Sequence, residues 1–106
     1  MIGAGDLNRR LTLEAPNESD DGAGGVTRSY AAVAALWANV APQAMRADNV
    51  AASLGAVQRC RIVIRRRDDV TTRHRLREGD ALYAIVAARV NADRRFTEID
   101  AALRED

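Results

Sequence analysis

Between Val57 and Arg67 the chain reads Val-Gln-Arg-Cys-Arg-Ile-Val-Ile-Arg-Arg-Arg. A period of two puts Cys60, Ile62 and Ile64 on one face and Arg59, Arg61, Val63 and Arg65 on the other, the mark of a strand covered on one side. A strand of that kind needs neighbours along its edges and an apolar layer beneath it, so the rest of the chain must supply more strands. The material for a core is sparse. Of 106 residues only 23 are Leu, Ile, Val or Phe, whereas 21 are Ala. That fraction lies just above the ~20% at which charged chains stay unfolded, and a formal net charge of +1 favours a globule. One domain over residues 1–106, with a thin core and stability shared with neighbouring subunits, is the expectation.

Other segments repeat the strand pattern. In Arg9 to Ala15, Leu11 and Leu13 alternate with Thr12 and Glu14, and Pro16, which has no amide donor, is expected to end the strand. Residues 17–25 form a polar turn rich in Gly, Asp and Asn, after which Val26 to Val33 is again extended. The two read as a hairpin with an elongated tip. Residues 34–41, despite many alanines, read as a strand stopped by Pro42. Residues 43–55 hold good helix formers, a sparse stripe of Met45, Val50 and Leu54, and Gly55 as a left-handed cap, so a short helix or arm is expected there. Arg73 to Arg77 reads as a short strand and Ala81 to Val90 as a central one. Arg95 to Leu103 closes the chain with Ile99 and Leu103 inward. The fold expected is mainly β: a small antiparallel barrel of six or seven strands with a long hairpin loop and one short helix or arm.

No catalytic, cofactor or metal group assembles from the sequence. Cys60 is the single cysteine and His74 the single histidine, so neither an internal disulfide, a thiolate zinc cage nor a paired-histidine metal site can form. Cys60 reads as a small core residue, His74 as a solvent-facing or packing residue, and Trp37, the sole Trp, as a core anchor. Gly22-Ala23-Gly24-Gly25 lacks the Gly-Lys-Ser/Thr ending of a phosphate loop and is read as a hairpin turn. The longest uncharged stretch, Ser29 to Met45, contains Asn39, Pro42 and Gln43 and falls short of the ~20 apolar residues a membrane helix needs. No secretion signal opens the sequence, and work in the cytoplasm, or in something assembled there, is expected.

All 16 basic residues are Arg and none is Lys. Residues 59–77 carry eight of them against Asp68 and Asp69, giving +6, while residues 1–58 sum to −2 and residues 78–106 to −3. A basic middle between acidic flanks suits either a polyanion or head-to-tail packing of identical subunits. Arg59, Arg61 and Arg65, followed by Arg66 and Arg67, could track phosphates or pair with acids of a neighbouring chain. One Phe, one Trp and two Tyr offer little for base stacking, which favours the protein–protein reading over a nucleic-acid-binding small barrel.

The order of these features resembles the phage head–tail joining family, also called head closure, head–tail adaptor or stopper proteins. Four pieces carry the resemblance: the opening Gly5-Asp6-Leu7-Asn8-Arg9-Arg10-Leu11-Thr12-Leu13; the turn Asp21-Gly22-Ala23-Gly24-Gly25-Val26-Thr27; the strand Leu36-Trp37-Ala38-Asn39-Val40-Ala41-Pro42; and Val57 to Arg66 followed by Gly79 to Val90 with Tyr83 and Ile85. Departures are the Ala-rich stretch after Arg46 and Asp80-Ala81-Leu82 before Tyr83. The resemblance implies a non-enzymatic β-barrel subunit of a tailed phage, prophage or gene transfer agent particle, assembled in the bacterial cytoplasm. Copies would form a six- or twelve-fold ring below the portal and its adaptor, retain packaged double-stranded DNA without reading its sequence, and dock the tail. Candidate contacts are Asp21, Gly22, Gly24 and Gly25 at the hairpin tip, Met45, Arg46 and Asn49 on the arm, and Arg59, Arg61, Arg65, Arg66 and Arg67 towards a subunit or the DNA channel.

Overall fold

The structure, a computed structural model, describes residues 4–43 and 58–104. The expected helix or arm beyond Gln43, with Met45, Arg46 and Asn49, lies outside the described residues. A 3-10 turn, Ala4–Asp6, leads into six strands: β1 (Arg9–Asp20), β2 (Val26–Pro42), β3 (Gln58–Arg65), β4 (Arg75–Glu78), β5 (Ala81–Val90) and β6 (Phe96–Arg104). They close into an antiparallel barrel in the order β1-β2-β3-β6-β5-β4, which meets the sequence expectation at its lower strand count. Closure removes the exposed edges that a sheet of short strands would otherwise present.

The alternation on β3 is realised as read. Cys60, Ile62 and Ile64 point inward and join Leu11, Leu13, Leu76, Tyr83, Ile85 and Ile99 in the core, together with fully buried Ala38 and Ala101. Burial pushes the Cys60 thiol up, away from the reactive thiolate. Val63 lies on the outer face as expected, but it is covered: Leu7 and Phe96 pack over it as a second small cluster. Asn39 Nδ2 donates to the carbonyl of Asp6 at 3.2 Å and holds the opening turn near that cover.

Several expectations fail, each for a physical reason. Pro16 does not end β1, which continues to Asp20. Pairing of β1 with β4 stops at Glu14, so at Pro16 that edge is open and no partner strand requires the missing amide. Residues 26–33 and 34–41 are not two strands but one of 17 residues. The junction is a bulge at Val33, between the pairs Leu13↔Ala34 and Glu14↔Ala32, which bends the strand without breaking it. Trp37 is not a core anchor; it is 52% exposed and faces outward under the guanidinium of Arg10, 5.1 Å from the ring centroid. The inward positions beside it belong to Leu36 and Ala38. Trp37 fluorescence is therefore expected to be solvent-like in the native protein and to change little on unfolding, and Trp37→Ala to cost under about 1 kcal/mol in denaturant titration. A blue-shifted native emission would contradict the exposed position.

Beyond the bulge β1 and β2 leave the barrel together. Ala15 to Asp20 pair with Ala31 to Val26 and with no other strand. Six pairs at about 3.3 Å each carry the tip roughly 20 Å past the last pair shared with the barrel, along a molecule 51 Å in its longest dimension. The turn is tighter than the polar stretch suggested, occupying 21–25 only. Asp21 Oδ1 accepts from the amides of Ala23 (2.8 Å) and Gly25 (3.0 Å), and Asp20 Oδ1 from that of Gly22 (2.9 Å). Gly22 and Gly24 have φ of 79° and 85°, a region that side-chain-bearing residues rarely adopt.

Candidate assembly surfaces

The polar groups of this barrel sit on its outside and around its ends, as four charged constellations. The first joins the hairpin to β4. Glu14 is nearly buried on the outer face, with Arg75 Nε on one carboxylate oxygen at 2.6 Å and Arg77 Nε on the other at 3.2 Å. The register places it there, since Glu14 faces Arg75 and Thr12 faces Arg77. Arg75 also lies over the Tyr30 ring at 3.7 Å, and further along the hairpin Glu18 receives Arg28 (2.7 Å) and Arg73 (3.1 Å). Acids of β1 thus meet arginines of β2, of β4 and of the loop before it, which ties the root of the hairpin to the barrel wall.

The second constellation ties the start of β1 to the β4–β5 turn. Arg9 Nε donates to Glu78 Oε2 at 2.9 Å, Arg9 Nη2 donates to the other oxygen, and Arg9 Nη2 also reaches the Tyr83 hydroxyl at 3.4 Å. Hydrogen bonding from Arg9 holds the Glu78 carboxyl below its ordinary value, the same bond raises the Arg9 guanidinium, and burial raises the Tyr83 phenol. The third runs across the outer wall of β3, β6 and β5. Asp100 lies between Arg61 (3.8 Å) and Arg89 (3.1 Å), and Arg89 also reaches Glu98 (3.4 Å). The fourth is the β3–β4 loop, where Arg66 pairs with Asp68 (3.1 Å) and Arg67 with Asp69 (2.9 Å). The Arg67 hydrogen bond lowers the Asp69 carboxyl, and Thr97 Oγ1 accepts from the Arg67 amide and donates to its carbonyl.

These pairings sort the arginines singled out in the sequence. Arg59, Arg61 and Arg65 share the outer face of β3, whereas Arg66 and Arg67 follow in the loop. Arg61, Arg66 and Arg67 are matched to carboxylates of the same chain; Arg59 and Arg65 have none within 4.0 Å among the described residues. Asp21, Gly22, Gly24 and Gly25 form the hairpin tip. Glu14, Glu78 and Arg9 escaped the sequence reading, because their partners lie 61 to 69 residues away and only a known β1–β4 register would have joined them. Cys60 is in the core, and His74 Nδ1 accepts from the Thr71 amide at 3.2 Å within its own loop. Among the described residues no group of three His, Cys, Asp or Glu side chains could hold a metal ion.

A closed barrel filled by its own side chains, with its charges arranged as ladders on the outside and an extended hairpin at one end, defines a small β-barrel protein. The family described as phage head completion protein matches residues 2–104, and the chain belongs to that family. Two solved structures share the fold. One is a chain in a structure titled as the virion of a native gene transfer agent particle, 23% identical with a TM-score of 0.65, covering 90% of this chain and 92% of that one. The other is the solution structure of protein SF1141 from Shigella flexneri 2a, 22% identical with a TM-score of 0.69, covering 94% and 95%. No protein of curated function matches the sequence.

Proposed function

We propose that this chain is a structural subunit of the head–tail junction in a phage or gene transfer agent particle. It acts without catalysis, after DNA packaging. Six or twelve copies form a ring below the portal and its adaptor, the ring keeps the double-stranded DNA in the head, and its outer end receives the tail. The observation that carries this reading is the hairpin: a paired ribbon about 20 Å long, rooted by Glu14, Arg75 and Tyr30 and tipped by glycines, standing off a barrel that needs none of it for its core. Membership in the head completion family supports a place in the virion, and the close likeness to a chain of a gene transfer agent particle supports the fold for it. Contacts with a neighbouring subunit, the adaptor or the tail fall to the tip (Asp21, Gly22, Gly24, Gly25) and to Met45, Arg46 and Asn49. Arg59, Arg61, Arg65, Arg66 and Arg67 face a neighbouring subunit or the DNA channel.

The rival reading, a free nucleic-acid-binding barrel, needs unpaired cations along the strand. Three of those five arginines are already bridged to acids of the same chain, which weakens it.

Replacing residues 21–25 by a two-residue Asn-Gly turn removes the tip and keeps the six-pair ribbon and the barrel. In complementation of a particle lacking this protein, the shortened variant is expected to fold normally yet leave heads without tails, or heads that lose their DNA. Tailed, infective or gene-transferring particles at the wild-type yield would overturn the reading.

A further inference from the structure

We propose that the ring closes through one specific contact: the acidic hairpin tip of one copy seats on a basic corner of the next. The proposal rests on the ring reading above and names the two faces that meet. The corner lies where β3 ends. Arg65 stands opposite Phe96 in the register, and the Arg66 amide donates to the Arg95 carbonyl at 3.0 Å, which joins the β3–β4 loop to the β5–β6 turn. Arg65, Arg94 and Arg95 are all exposed there, and none has a carboxylate within 4.0 Å among the described residues. The adjacent acids are occupied: Asp68 and Asp69 by Arg66 and Arg67, and Asp93, whose Oδ1 accepts from the Arg95 amide. Three guanidinium groups are thus left in water on one corner.

The tip carries the complementary sign. Asp20 and Asp21 are exposed with no arginine within 4.0 Å. The amides of Ala23 and Gly25 hold the Asp21 carboxyl below its ordinary value, so it stays ionised. Val26, opposite Asp20, is 66% exposed and provides the apolar centre that a contact needs. The hairpin carries the tip away from its own barrel, so the two charges cannot satisfy each other within one chain.

Topology supplies the geometry. In the antiparallel order β1-β2-β3-β6-β5-β4, strands β1, β3 and β5 run the same way. The end of β1 that becomes the hairpin and the ends of β3 and β5 that make the corner therefore lie at one end of the molecule. A contact between the tip of one copy and the corner of the next joins two different faces, and such a heterologous contact closes a ring when the rotation between copies carries no rise.

The test is a charge swap read by paramagnetic relaxation in the intact chain. A nitroxide at Ser19→Cys labels the hairpin, since buried Cys60 stays unmodified. Unlabelled-spin, ¹⁵N-enriched protein is mixed with it at about 1 mM, where weak contacts populate. Intermolecular broadening is expected on Arg65, Arg66, Arg94 and Arg95. Asp20→Arg/Ala23→Arg in the labelled copy should reduce it several-fold, and a ¹⁵N partner carrying Arg65→Glu/Arg95→Glu should restore it. No broadening at that concentration, broadening centred elsewhere, or a swap that fails to restore it would overturn the contact. The two readings fail differently: absent or misplaced broadening overturns this contact alone, whereas normal particles from the shortened hairpin overturn the head–tail junction reading and the contact with it.

Discussion

Leu13→Ala is expected to lower the unfolding free energy by about 3 kcal/mol, read as a shift of the denaturant midpoint at unchanged slope. Leu13 is fully buried and stands opposite Ala34 on β2 and Leu76 on β4. Its core cluster consists mostly of large side chains already packed against one another, so the space left by Cγ and its two methyls is refilled only in part. The position also matters topologically. The β1–β4 seam that closes the barrel consists of three register pairs, Thr12↔Arg77, Leu13↔Leu76 and Glu14↔Arg75, against eight between β3 and β6. Loss of the middle pair's packing weakens the shortest join in the sheet. With domain stabilities typically of 5–15 kcal/mol, a thin-cored chain would then populate open forms visibly. Val86→Ala, at a bulge and 45% exposed, should cost less than about 0.5 kcal/mol. If Leu13→Ala behaved like Val86→Ala, closure through this seam would be refuted.

Much of this barrel was readable because strand alternation is a local property. Cys60, Ile62 and Ile64 against Arg59, Arg61 and Arg65 need no tertiary knowledge to be sorted into inside and outside, and the same holds for Leu11 and Leu13. What could not be read depended on which strand lies alongside. Pro16 looks like a terminator to anyone who cannot see that β4 has already ended at that level. Trp37 looks like a core anchor because large aromatics usually bury, and only its odd parity with Ala38, known once the register is fixed, sends it outward. The alanines from Ala31 to Ala35 carry little side-chain signal of either period, so one strand of 17 residues was divided at the place where a bulge occurs.

The surfaces were legible in kind and not in detail. An excess of arginine in residues 59–77 gives the sign of this stretch, but formal charge counts ions before they pair. Arg66 and Arg67 turn back on Asp68 and Asp69, two residues on in each case, a pairing visible in sequence had loop geometry been assumed there. Arg61 is matched across β6 by Asp100 and Arg75 across β1 by Glu14, pairings that only the sheet order defines. Arg94 and Arg95, unremarkable in a turn, become part of a basic corner because β3 happens to end beside them.

Glu14→Ala should cost about 2 kcal/mol and, unlike a core truncation, should also change where the hairpin points. Removing one partner from a buried ion pair costs ~3–5 kcal/mol, but Arg75 and Arg77 keep 25% and 39% of their side-chain exposure, so water recovers part of the loss. Glu14→Gln keeps the shape and one acceptor and should fall about halfway. A double-mutant cycle should give a larger coupling to Arg75, which is closer at 2.6 Å and less exposed, than to Arg77 at 3.2 Å. Glu14 sits at the bulge where β1 and β2 leave the barrel, and the Arg75 that it fixes also lies over Tyr30. Without Glu14 that guanidinium is free to leave the ring, and the hairpin root loses both of its anchors to β4. Residual dipolar couplings should therefore show residues 15–31 reoriented relative to the barrel in Glu14→Ala and not in Leu13→Ala. An unchanged hairpin orientation, or a coupling to Arg77 equal to that of Arg75, would mean that the hairpin is held by backbone pairing alone.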